Sequence, residues 1–145
     1  MTQAVALLRN ARNPVILMGR VSRDVDGWDQ RVALAEGLNA QVMTDLKIGA
    51  SFPTDHPLHV GAPATSVTPD GAAALSAADV ILSLDWVDLG GTLRTVGGAP
   101  GAKIIQVSLD YQLHNGWSMD HQALPPVDLF IAADPDIAVA ALLKF

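Results

Sequence analysis

Short apolar runs separated by amphipathic stretches set the rhythm of this chain. Val5, Leu8 and Ala11 recur at helical spacing ahead of the Asn13-Pro14 breaker, which predicts a helix over residues 3–12. Val15 to Met18 follows as a short buried strand that runs into Gly19. Ser22 offers an N-cap for a second helix whose Val25, Trp28, Val32 and Ala35 share one face, with Asp24, Asp26 and Asp29 near its positive end. That helix is expected to stop between Gly37 and Asn39, and Gln41 to Thr44 forms the next strand.

The same alternation continues. Thr68 and Pro69 read as an N-cap followed by proline at the first helical position, with the alanine-rich residues 70–78 continuing the helix. Val80 to Leu84 is a buried strand, and Gly90 to Gly101 reads as a loop or a short irregular crossover. Lys103 to Val107 is a further strand, residues 110–126 are polar and irregular up to Pro125-Pro126, and Leu129 to Ala132 is the last strand. Asp134-Pro135 starts a terminal helix that is expected to carry Ile137, Ala141 and Leu142 inward. Strands and helices alternating at this length imply an α/β fold, a parallel sheet covered on both faces and joined by right-handed crossovers.

Composition narrows the function classes. The 145 residues are the usual size of one domain, and 50% hydrophobic content suffices for a substantial core. Nine basic residues are scattered among fifteen acidic ones for a net charge of -6, which argues against non-specific binding to nucleic acid or to an anionic membrane. The absence of cysteine removes disulfides, thiolate metal sites and a cysteine nucleophile. No apolar run approaches the roughly 20 residues of a membrane-spanning helix, so a cytoplasmic location is expected.

In an open parallel sheet ligands bind beyond the carboxyl ends of the strands. The residues to inspect are therefore Gly19-Arg20, Asp45 to Ala50, Asp85-Trp86 and Leu109-Asp110-Tyr111. Gly19 could admit a phosphate to a helix N-terminus, or could serve turn geometry alone. Asp85 and Asp110 could accept hydrogen bonds from ribose hydroxyls, or could cap turns. Trp86 is expected at a contact with another domain rather than under an adenine ring. The sequence has no GxGxxG, Walker A, HExxH or GxSxG motif. His56, His59, His114 and His121 lack metal-ligand spacing, and His56 and His59 are expected in a turn.

One stretch is more specific than these. The order ALLRNARNPVILMG, a strand, GASFPTDHPLHVG, AADVILSLD and AKIIQVSLD resembles the central domain of thiamine-diphosphate-dependent enzymes, the superfamily of acetolactate synthase and benzoylformate decarboxylase. The strongest block is Phe52 to Pro57 with Gly61 beyond it, within the segment from Thr44 to Pro63. The resemblance spans nearly the whole chain, 1–145. It implies a three-layer α/β/α, Rossmann-like parallel sheet of about six strands, of the DHS-like NAD/FAD-binding type. Five strands are placed above, which leaves a short one to be sought near Leu58 to Val60.

The resemblance also implies a fragment of a longer three-domain, homo-oligomeric enzyme. There the N-terminal domain supplies the catalytic glutamate, and the C-terminal domain holds magnesium and the diphosphate of thiamine diphosphate. The central domain would orient those flanking thiamine-binding domains without being catalytic. Some relatives bind FAD or an ADP group here, through a glycine cluster after the first strand and a Gly-Ala-Arg-Phe-like run after a later one. This chain departs at both places, with Gly19-Arg20-Val21 and Leu84-Asp85-Trp86-Val87-Asp88, and an acidic side chain beside a diphosphate opposes binding. The Phe-Pro-Thr-x-His-Pro wording is similar to the decarboxylase branch. If a nucleotide edge exists, its candidate residues are Gly19, Ile48, Gly49, Gly61, Asp85 and Asp110. The competing reading is a stand-alone module that holds FAD, ADP or NAD.

Overall fold

In a computed structural model that describes residues 1–98, 101–110 and 124–145, the expected alternation holds. The elements are α1 (Thr2–Arg9), β1 (Pro14–Met18), α2 (Val25–Leu38), β2 (Gln41–Thr44), α3 (Pro69–Ala77), β3 (Val80–Leu84), α4 (Leu89–Thr95), β4 (Lys103–Val107), β5 (Leu129–Ile131) and α5 (Pro135–Leu142). All strand pairs are parallel, in the order β2-β1-β3-β4-β5. The short strand sought near Leu58 to Val60 is present as a single parallel bridge, Val42 to His59, on the outer side of β2. Val42 donates to the Leu58 carbonyl and accepts from Val60, both at 2.8 Å.

The apolar runs of β1 and β3 are buried at every position, because helices cover both faces. Side chains alternate between those faces. Ile16, Met18, Val42, Leu82, Leu84, Ile105 and Val107 pack with residues of α1, α2 and α5. Val15, Leu17, Met43, Ile81 and Ile104 pack with residues of α3 and α4. This is the three-layer α/β/α arrangement.

Several boundaries and faces differ from the sequence expectation. The cap of α2 is Asp24, whose carboxylate accepts from Gly27 N at 3.0 Å, whereas the Ser22 backbone N–H donates to Asp136 at 2.7 Å. The buried stripe of α2 is Gly27, Arg31, Leu34 and Ala35, and Val25 is 72% exposed. The apolar periodicity misleads here because a charged residue, Arg31, takes an inward position. The helix ends at Asn39 in the left-handed conformation, with its N–H turned back to the Ala35 and Glu36 carbonyls. Residues expected to form a loop after Gly90 contain α4, begun by Asp88, whose side chain accepts from Gly91 N at 3.0 Å. Two consecutive glycines hid that helix from a propensity argument. In α5 the buried residues are Pro135, Ala138, Val139 and Leu142, and Ile137 faces outward.

Arg31 is wholly buried. Its guanidinium pairs with the Asp136 carboxylate, Nε donates to Ser51 O at 2.9 Å, and Nη2 donates to Ser22 O at 3.1 Å and Ala50 O at 3.3 Å. One side chain thus ties α2, the loop before it, the residues before Phe52 and the start of α5. Gly27 permits the approach, since a Cβ there would lie 3.1 Å from Arg31 Nη1 and 3.2 Å from Asp136 Oδ1. Removing one member of such a pair strands the other charge. Arg31→Ala is expected to cost about 3–5 kcal/mol in urea unfolding, whereas Arg23→Ala, on the exposed surface nearby, is expected to change stability by at most about 0.5 kcal/mol.

Candidate functional site at the carboxyl edge of the sheet

The strand order reverses between β1 and β3, so the crevice beyond those two strands is where a doubly wound sheet presents a ligand site. In this chain the described residues at that crevice bond to one another. Backbone pairing continues past the strand ends, Gly19 N donating to Leu84 O at 3.0 Å and Arg20 N to Asp85 O at 3.1 Å. Gly19 is required by this closeness, since a Cβ would overlap the carbonyl of Asp85 and the Cα of Trp86. The neighbouring pairs extend likewise, Asp85 N to Val107 O at 2.8 Å and Ser108 N to Ile131 O at 3.1 Å.

Arg20 lies across this closed edge. Its Nε lies 2.8 Å from Asp85 Oδ2, Nη2 donates to Asp85 Oδ1 at 2.9 Å, and Nη2 also pairs with Asp110. Burial works against the guanidinium charge, but the bonds and charges of Asp85 and Asp110 outweigh it and raise its pKa. The Ser108 hydroxyl donates to Asp85 Oδ1 at 2.6 Å and accepts from Asp110 N at 3.0 Å, which completes the cluster. Asp85 is held at φ +53°, a left-handed conformation uncommon outside glycine, asparagine and aspartate. The two aspartates singled out as ribose acceptors are thus brought together, with their carboxylates directed onto an arginine of the same chain.

The other candidates are placed apart. Ile48 and Gly49 follow β2 in a turn where Ile48 N donates to Asp45 O at 3.2 Å and Lys47 N to Asp45 Oδ1 at 2.8 Å. Around Gly49 a Cβ would meet open space up to Arg23 Nη2 at 4.0 Å. Gly61 has φ +70°, and a Cβ on it would run into the Thr68 hydroxyl that caps α3. Between these loops lies a cleft of about 90 Å³ whose walls include Thr44, Lys47, Ala64, Ser66, Trp86 and Asp88. Ligand sites for drug-sized molecules are roughly 300–1,000 Å³, so this cleft is too small for a dinucleotide.

Trp86 is half-buried. Its indole N–H donates to Thr92 Oγ1 at 2.8 Å, and the ring packs against the α3/α4 side of the core. These are the contacts that the domain itself supplies to Trp86, the residue expected at a contact with another domain. Tyr111, His114, Trp117 and His121 lie outside the described residues. His56 and His59 sit in the expected turn. Phe52 is buried beneath them, edge-on to His56 and stacked with His59 at a centroid distance of 6.4 Å. His59 Nε2 lies 2.9 Å from Thr44 Oγ1, and burial lowers its pKa.

The sequence offered no signal for Arg31, Ser108 or Asp136 as organisers of this edge. Arg31 falls within a helical apolar pattern, and Asp136 looks like one more acid near a helix start. Among the described residues no group of three or more His, Cys, Asp or Glu side chains could hold a metal ion. No described helix is long and apolar enough to cross a membrane.

A doubly wound parallel sheet whose β1 and β3 remain paired to each other beyond their carboxyl ends is the class that the geometry defines. Residues 1–142 match the model of the thiamine pyrophosphate enzyme central domain, and the chain belongs to that family. The sulfoacetaldehyde acetyltransferase of Rhodobacter capsulatus is 33% identical over 151 aligned residues, covering 97% of this chain and 23% of that protein. The acetolactate synthase large subunit of Corynebacterium glutamicum is 33% identical over 113 residues, covering 74% of this chain and 17% of that protein. The fold matches the thiamine diphosphate-dependent 4-hydroxybenzoylformate decarboxylase of Rhodococcus jostii RHA1 with a TM-score of 0.66 at 22% identity, over 99% of this chain and 26% of that one. Benzoylformate decarboxylase from Polynucleobacter necessarius gives 0.64 at 22% identity, over 98% and 26%. The chain thus spans a quarter or less of the length of the sequence relatives described.

Two measurements check this edge. Gly19→Ala is expected to destabilise by about 1–3 kcal/mol through overpacking against the Asp85 backbone, while Gly49→Ala, in open space, is expected to leave the midpoint of urea unfolding within about 0.5 kcal/mol of the parent value. For His59 the folded-state pKa lies below the ordinary 6.5, so the unfolded chain takes up a proton first as pH falls. Its contribution to stability is complete above that ordinary value and is lost as pH drops from there toward the folded pKa. His59→Gln is expected to flatten the stability–pH curve between about pH 7 and 5.

Proposed function

We propose that this chain is the central, non-catalytic domain of a thiamine-diphosphate- and magnesium-dependent enzyme that acts on 2-oxo acids as a decarboxylase or as an acetolactate-synthase-like lyase or transferase. In that role it spaces and orients the flanking thiamine-binding domains of the same polypeptide. The relatives named as acetolactate synthase and sulfoacetaldehyde acetyltransferase, and the fold match to decarboxylases, support the reaction class. The reading carries with it the homo-oligomeric parent implied by the resemblance and the cytoplasmic location expected from the sequence.

The observation that carries the non-catalytic reading is Arg20. With Asp85 and Asp110 paired to it and Gly19 packed on the Asp85 backbone, the nucleotide edge proposed around Gly19, Ile48, Gly49, Gly61, Asp85 and Asp110 has its central crevice occupied by protein. Two carboxylates around one guanidinium leave a net negative charge there, which opposes a diphosphate.

The test separates this reading from a stand-alone nucleotide module. A ligand that binds the native state raises thermal stability by about RT ln(1 + [L]/Kd). The chain titrated with FAD, ADP or NAD, or with thiamine diphosphate and magnesium, is expected to show no shift in melting temperature and no saturable heat. A saturable shift with FAD, ADP or NAD establishes the nucleotide module instead, and one with thiamine diphosphate overturns the domain assignment.

A further inference from the structure

Residues 56–60 close the outer edge of β2 with very little structure. Their backbone attachment is the single bridge to Val42, made by the Leu58 carbonyl and the Val60 N–H. None of His56, Pro57, Leu58, His59 and Val60 is fully buried, whereas every residue of β1 and β3 is. A segment held by two backbone bonds and half-buried side chains opens at a lower free energy than the sheet behind it. Beyond the bridge, its polar attachments are the rings of His56 and His59.

His59 is the bridging residue, and its ring locks onto β2 through Thr44 Oγ1 at 2.9 Å. The threonine hydroxyl can donate to a neutral imidazole or accept from a charged one, so that bond tolerates a second ring proton. The surroundings do not. Among the described residues no carboxylate bonds to the His59 ring, and the stacked Phe52 lies at a centroid distance of 6.4 Å, beyond the ~6 Å within which an aromatic face attracts a cation. Desolvation is accordingly the cause that lowers the His59 pKa, and release into water restores the ordinary 6.5. The contact is therefore complete above that ordinary value and weakens as pH falls from there toward the folded value. His56 is the second titratable group of the turn. Its Nδ1 accepts from Leu58 N at 3.2 Å, which places the ring proton on Nε2, 3.3 Å from Glu36 Oε1 on the exposed face of α2, a contact of the kind that contributes little.

We propose that the His-Pro turn is an acid-released latch: proton uptake by His59 frees residues 56–60 from β2 and leaves the N–H and carbonyl of Val42 unpaired at the sheet edge, while β1, β3 and β4 stay folded. The latch needs neither a cofactor nor another domain. It is therefore independent of the proposed reaction class.

Amide hydrogen exchange of the full chain, followed by NMR and corrected for the intrinsic pH dependence of exchange, tests the proposal. At about pH 5 the amides of Val42 and Val60 are expected to exchange about tenfold or more faster than those of Ile16 and Leu82, at rates insensitive to low urea. Their protection is expected to fall about threefold or more between about pH 7 and pH 5, levelling off as the His59 ring, followed in the same spectra, becomes protonated. His59→Gln is expected to remove the fall, and His56→Gln to retain it. Exchange of Val42 and Val60 at the rate of Ile16 and Leu82 overturns the proposal, because the edge then opens only with the whole domain. A fall that survives His59→Gln assigns the proton to another group and overturns it as well. So does a fall in the parent chain that continues past the titration of the His59 ring, an outcome that requires no variant to fold.

Discussion

A guanidinium with no access to solvent is the constraint around which this domain is arranged. Arg31 cannot be buried alone, because an unpaired ion in a protein interior costs several kcal/mol. Every element it touches is therefore held to it: the Asp136 carboxylate, the Ser22 carbonyl, and the Ala50 and Ser51 carbonyls that precede the signature turn. Burial alone pushes the Asp136 carboxyl up, but the Ser22 donors and Arg31 charge prevail and hold it below the usual carboxylate range. The pair thus depends on an ionised Asp136, and its contribution is complete above the ordinary carboxylate pKa and fails as pH falls through the folded value. The same bonds hold the backbone just before the buried Phe52.

The second arginine, Arg20, does a related task just beyond the carboxyl end of β1. In a sheet of this order the chain leaves β1 and β3 toward opposite faces at the switch point, and backbone groups just beyond those strand ends must be satisfied by a ligand, by water or by each other. Here they satisfy each other, and Arg20 with Asp85, Asp110 and Ser108 fastens the result.

Most of the architecture was legible in the sequence because strands buried on both faces leave an unambiguous record. Val15 to Met18, Val80 to Leu84 and Lys103 to Val107 are continuous apolar runs or nearly so, and their flanking breakers mark the ends. What failed to show were positions where a local rule gives way to a tertiary one. Leu89 to Thr95 is helical despite Gly90 and Gly91, because Leu89 and Leu93 bury against the sheet and Asp88 caps the start. Val25 and Ile137 were assigned inward by periodicity and stand outward, since Arg31 and the small residues Gly27 and Ala138 occupy the interface between α2 and α5. At the carboxyl edge the sequence identified Gly19, Asp85 and Asp110 as the positions to inspect, and nothing in their order along the chain disclosed that Arg20 would bind both acids. Pairings across 65 and 90 residues leave no local trace.

The single bridge between Val42 and His59 has a bearing on how this sheet keeps from recruiting foreign strands. An open sheet ends in two strands with unpaired N–H and C=O groups, and an unprotected edge recruits other strands while the rest of the chain is still being made. On the β2 side one bridge uses both the N–H and the carbonyl of Val42, and the segment that makes it carries Pro53, Pro57 and Pro63, which have no N–H to offer a further strand. On the other side β5 is only three residues long. The proline-bearing segment around the His-Pro turn therefore also serves as an end-stop, limiting the sheet to its own strands.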